Sequence, residues 1–100
     1  MDWSRPAVEL ERRVRAMHPW PGAFTTWNGT RLKVLRAAVA AGWKGREPPG
    51  TVVRLEDGVA VATGEGALRL LEVQLAGRRA MGIEPFLRGQ RGFVGSVLGT

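Results

Sequence analysis

One hundred residues suffice for one hydrophobic core and not for two, and the absence of cysteine excludes disulfides, thiolate metal sites and cysteine nucleophiles. Apolar residues make up 44% of the chain, yet no run of about eighteen consecutive apolar residues occurs, so no membrane span is expected. Thirteen arginines and two lysines against nine acids leave a net charge of +6, which points to a polyanionic partner.

The opening MDWSRPAVELERR has no apolar h-region, so it is not expected to be a secretory signal, and the lack of cysteine makes a reducing, cytoplasmic compartment the default. Ser4 is a good N-cap, and Arg5–Pro6 suit a first helical turn. Ala7, Leu10, Val14 and Met17 then recur at helical spacing, which predicts an amphipathic helix over 5–17 with Arg5 and Arg12 on its outer face. A residue before proline avoids the α region, so the helix stops at His18–Pro19. Pro19, Pro21 and Gly22 then predict a fixed corner, with the Trp20 indole expected to fold over the helix end.

Past the corner the pattern turns to β. Segments 23–27 and 30–39 flank Asn28–Gly29, a strong cue for a two-residue hairpin. Leu32 and Val34 alternate with Arg31 and Lys33, which makes one face apolar and the other basic. Leu35 breaks this alternation and predicts a bulge that returns Arg36 to the basic side. A loop over 42–50 leads to a second hairpin, 51–56 with 59–63, expected to turn at Asp57–Gly58. In 67–75 the apolar parity shifts between Leu70 and Leu71, which predicts another bulge. A short helix or turn is expected within 79–88, and 93–98 reads as a closing strand. The pattern is mainly β: a small OB-like barrel of five to six strands with an N-terminal amphipathic helix and a short C-terminal helix, or alternatively an SH3-like barrel.

Little here can do chemistry. His18 is the only histidine, and no acidic cluster stands ready to complete a metal site or a triad, so no catalytic or metal-binding residue is expected. GEG at 64–66 joins two strands and opens no helix, so it is not a phosphate loop. The charge is the informative feature, because residues 12–46 contain eight basic side chains and no acid. Such segregation favours a single basic face. The acid-free window and the strand alternation single out Arg12, Arg15, Arg31, Lys33, Arg36, Lys44, Arg78 and Arg79 as contacts to an RNA backbone. Trp20, Trp27 and Trp43 are more readily explained by packing or loop anchoring than by base stacking.

The order of motifs DWSRPA (2–7), VRAMHPWPGAFT (14–25), RLKVLRA (31–37), PGTVV (49–53), VATGEGALRLLEVQLAGRRAM (61–81) and FLRGQRGFVGSVL (86–98) resembles the C-terminal domain of bacterial methionyl-tRNA formyltransferases over nearly the whole chain. The resemblance implies a single OB-like domain over 1–100 that binds initiator Met-tRNA and has no cofactor of its own. It places 10-formyltetrahydrofolate and the catalytic residues in a separate N-terminal Rossmann-type formyltransferase domain, joined in cis and missing from these hundred residues. On this expectation Met1 falls near an interdomain linker. Related hydrolases and sugar formyltransferases carry similar domains without binding tRNA, so an interdomain packing module is the alternative.

Overall fold

A computed structural model describes residues 1–99. Helix α1 spans Ala7–Met17 and buries Ala7, Leu10 and Val14. It begins two residues later than expected, and Ser4 does not cap it. The Ser4 hydroxyl instead donates to Asp2 Oδ1 (2.6 Å), and together with the Ser4 N–H it holds the Asp2 carboxyl below its usual range. The helix start is fixed from outside: Ala7 N donates to Glu65 O (2.9 Å), tying the first turn to the 64–66 loop. His18 ends the helix in an extended conformation, as the following proline requires.

Strands β1 (Ala23–Trp27) and β2 (Thr30–Val39) form the expected hairpin, with Trp27 opposite Thr30. Asn28 and Gly29 both have positive φ (51° and 77°), the combination that a type I′ turn needs. Strands β3 (Val52–Leu55), β4 (Gly58–Ala62) and β5 (Ala67–Leu75) make a meander, and β5 docks antiparallel on β2. The second hairpin turns at Glu56–Asp57, one residue before the expected position, because Leu55 pairs with Gly58. Both predicted bulges are present. The β2·β5 register slips first at Leu35, between Val34 and Arg36, and then at Leu71, between the Arg36↔Glu72 and Ala37↔Leu70 pairs. A two-residue strand, β6 (Met81–Gly82), pairs with β5 and leads into α2 (Ile83–Gly89), where Pro85 falls in the first turn and breaks no helical hydrogen bond.

The six strands form one antiparallel sheet in the order β1-β2-β5-β4-β3, with β6 on β5. Within it β2, β5, β4 and β3 make a Greek key. The ladder does not close, and the expected strand over 93–98 is a run of turns with a single bridge, Thr51↔Val97. Gly95 and Gly99 take positive φ (92° and 84°), which breaks extended pairing. This irregular segment still crosses the opening. Val52 N donates to Ser96 O and Leu98 N to Gly50 O on the β3 side, while Gly99 N reaches Thr26 O on β1, all at 2.8 Å. The result fits the OB-like expectation with a hydrogen-bonded seam where the last ladder would be.

One main core fills the interior. Phe93 is fully buried and meets Trp27 and Phe86 edge-on, with centroids 5.2 and 5.0 Å away. The Trp3 indole N–H donates to the buried Thr25 hydroxyl (2.9 Å), pinning the N-terminal turn to β1. Trp20 corrects an expectation: it is 83% exposed and covers nothing. The inner side of the corner is taken by Gly22 and Ala23, both buried, and the Lys33 side chain lies against Gly22. Among the described residues no helix is long and apolar enough to cross a membrane.

Candidate nucleic-acid interface

Strand alternation sends Ala23, Thr25, Trp27, Leu32 and Val34 inward and leaves Phe24, Thr26, Arg31 and Lys33 on the outer face. The register places these outer residues side by side. Phe24 is opposite Lys33, which is opposite Gln74, so one rung crosses β1, β2 and β5. The next rung carries Thr26 and Arg31. The Arg31 guanidinium lies 4.7 Å from the Phe24 ring centroid and the Lys33 ammonium 5.7 Å from it. Each cation–π contact at an exposed site is worth about 0.5–1 kcal/mol. One phenyl ring thereby restrains two long cationic side chains while leaving their charges open to solvent. Lys33 Nζ also donates to Pro19 O (3.1 Å), which joins the sheet face to the HPWPG corner.

The bulge extends this face. At the bulge Leu35 is buried, and Arg36 beside it is exposed next to α1. There it lines a cavity of about 260 Å³ together with Glu11, Arg15, His18 and Leu71. Arg15 is held by a bond from its Nε to Glu11 Oε2 (2.7 Å), which raises its pKa and keeps it firmly charged. Glu11 lines the same cavity, and Glu72 stands opposite Arg36. At the other end, Ala76 N donates to Arg31 O and Gln74 Nε2 to Arg78 O, both at 2.9 Å. The 76–79 turn is thus drawn against the Arg31 end of the face.

The structure therefore gathers Arg15, Arg36, Lys33 and Arg31 along β2 and its neighbours. Arg78 and Arg79 do not extend that row: together they border a small cavity on the α2 side of the turn, lined also by Leu75, Met81 and Phe86. Arg12 does not join them, because it is exposed on the side of α1 opposite the buried stripe. Nor does Lys44. It lies in the loop after β2, next to Trp43, which packs half-buried on Ala40, Ala60 and Ala67. A ten-residue strand is about 30 Å long, so Lys44 and Arg31 belong to opposite ends of the sheet.

A family model described as formyl transferase, C-terminal domain, matches residues 1–91. The chain belongs to this family. It is 48% identical over 99 residues to a methionyl-tRNA formyltransferase of Roseiflexus sp. (strain RS-1), a match covering 99% of this chain and 30% of that protein. The Myxococcus xanthus (strain DK1622) methionyl-tRNA formyltransferase is 53% identical over 92 residues, which is 91% of this chain and 28% of the relative. That of Magnetococcus marinus is 45% identical over 100 residues, covering 99% and 31%. The chain thus spans less than a third of the length of these curated relatives.

Two features of this formyl transferase C-terminal domain escaped the sequence reading. The first is Phe24 as the ring that restrains two cations. The signal was present, since a two-residue Asn28–Gly29 turn fixes 27 opposite 30 and hence 24 opposite 33. The second is a separate basic depression of about 350 Å³ where Arg54, Arg88 and Arg91 meet Glu84 and Leu87. Arg54 sits close to Glu56 and Asp57 in sequence, which hides it from a search by charge windows. Arg88 and Arg91 join it only because α2 packs beside the β3–β5 meander.

Proposed function

We propose that this chain is the tRNA-holding C-terminal domain of a methionyl-tRNA formyltransferase. Its outer β1-β2-β5 face takes the phosphate backbone of initiator Met-tRNA, while an N-terminal domain in cis transfers the formyl group from 10-formyltetrahydrofolate. The observation that carries the reading is the pair Arg31 and Lys33 restrained by Phe24, continued by Arg36 and Arg15 across the bulge. Arginine offers phosphate a planar fork and lysine a compact point charge, and neither reads sequence when it contacts the backbone. Cations already restrained by a ring lose less rotamer entropy when a phosphate arrives. No residue of this chain is assigned to the folate or to the acyl transfer itself.

The packing-module alternative calls for a continuous apolar face. The exposed large apolar residues are Val8, Trp20, Val39, Val94 and Val97, and they fall on four different segments. The test is a salt titration of tRNA affinity. Four phosphate contacts give log K against log salt a slope of about −3 to −4, whereas a slope near zero contradicts the proposal.

A further inference from the structure

We infer that Trp20 is a stacking platform for one unpaired nucleobase at the edge of the cationic face. This rests on the tRNA reading above and deepens it: the site would take a base as well as phosphates. Of the four tryptophans, Trp3 and Trp27 are buried and Trp43 is half-buried, while Trp20 is 83% exposed. An indole left in water at the tip of a corner contributes nothing to the core.

The corner itself is held firmly. Proline rings fix the backbone on both sides of Trp20. Gly22 N donates to Met17 O (2.9 Å), closing the chain back onto the end of α1. Lys33 Nζ donates to Pro19 O (3.1 Å), and a Cβ at Gly22 would run into the Lys33 stem. The indole thus stands on a backbone tied to α1 on one side and to the Lys33–Phe24 rung on the other. A base stacked on it would order little that is not already ordered.

The surroundings choose between a base and a protein side chain. A protein-docking anchor is normally the centre of an apolar patch depleted of charge. No other exposed large apolar residue lies on the 18–22 corner, and a cation, Lys33, is bonded to it. Lys33 lies against Gly22 and bonds Pro19 O, and His18 leads into the cavity where Arg36 stands beside the Arg15–Glu11 pair. A π-face with Lys33 at its base and Arg36 in the adjoining cavity matches an unpaired nucleotide, whose base stacks while its phosphate meets the cations. The stacking is tolerant of base identity, since every base offers a π-face.

The experiment compares initiator tRNA affinity across a salt series for the parent chain, Trp20→Ala, Trp20→Phe and Lys33→Gln. Trp20→Ala is expected to weaken binding about tenfold at every salt concentration with the slope unchanged, and Trp20→Phe to recover most of the loss. Lys33→Gln is expected to flatten the slope by about one. In addition, a short unpaired oligoadenylate should quench tryptophan fluorescence in the parent but not in Trp20→Ala. If the parent binds with a steep slope and Trp20→Ala binds equally well, the stacking site is overturned while the phosphate face survives. If the parent shows no salt-dependent binding, the underlying tRNA reading fails first. Unchanged tRNA affinity together with a weakened association of a catalytic formyltransferase domain would assign Trp20 to a protein contact and overturn the inference.

Discussion

Phe93 tests whether the irregular 93–99 segment belongs to the core or merely lies across it. Its side chain is fully buried, and its ring meets Trp27 at 87° and Phe86 at 88°. Phe93→Leu keeps most of the apolar area and removes two edge-to-face contacts, each worth about 0.5–1.5 kcal/mol. The expected loss is therefore about 1–3 kcal/mol. Phe93→Ala adds a cavity at the centre of the aromatic cluster and should lose about 3–5 kcal/mol. A domain of this size has about 5–15 kcal/mol in total, so the alanine variant approaches the unfolding threshold. In thermal terms the leucine variant should melt about 4–24 °C lower. Urea unfolding followed by far-UV circular dichroism gives both numbers, with an unchanged m-value showing that stability changed and the compactness of the two states did not. If Phe93→Ala loses less than about 1 kcal/mol, the segment is not part of the core, and the account of how the open sheet is sealed is wrong.

Gly64 should not tolerate a side chain. An added Cβ would land on the Ser4 backbone carbonyl, and Gly64 N already donates to Trp3 O (3.0 Å), so Gly64→Ala is expected to lose at least about 2 kcal/mol in the same unfolding assay. Gly89→Ala, which meets only open space within α2, should be neutral or mildly stabilising. The two indole N–H groups separate in the same way. Trp3 Nε1 bonds Thr25, whereas the buried Trp27 Nε1 has no partner among the described residues. Trp3→Phe should therefore lose about 1 kcal/mol more than Trp27→Phe, and equal losses would deny the Trp3–Thr25 bond any net weight.

Much of the fold was legible because local rules coincide with tertiary ones here. Asn28–Gly29 demanded positive φ at both positions and received it, and the parity breaks at Leu35 and Leu71 became bulges where β2 and β5 slip register. The errors fall where a distant partner decides. Ser4 lost its cap role because the 64–66 loop sets the helix start. The 93–98 strand dissolved into turns because its bonds go to two different edges, β3 and β1, rather than to one. Trp20 was expected to pack since large aromatics generally do, but Gly22, Ala23 and the Lys33 stem already fill the inner side of the corner. The candidate site was half legible. Charge windows and alternation found Arg31, Lys33 and Arg36, yet a window cannot tell which end of a long strand a residue occupies. Lys44 was therefore grouped with cations at the far end of the sheet.

The central claim is that tRNA phosphates lie on the β1-β2-β5 face and not in the Arg54–Arg88–Arg91 depression. The most direct measurement is the salt slope of tRNA affinity for two triple variants that remove equal charge. Arg31→Gln with Lys33→Gln and Arg36→Gln should flatten the parent slope by about 2–3. Arg54→Gln with Arg88→Gln and Arg91→Gln should leave it as it was. The reverse pattern, a steep slope surviving the first set and lost with the second, would put the RNA on the wrong side of the molecule for everything proposed above.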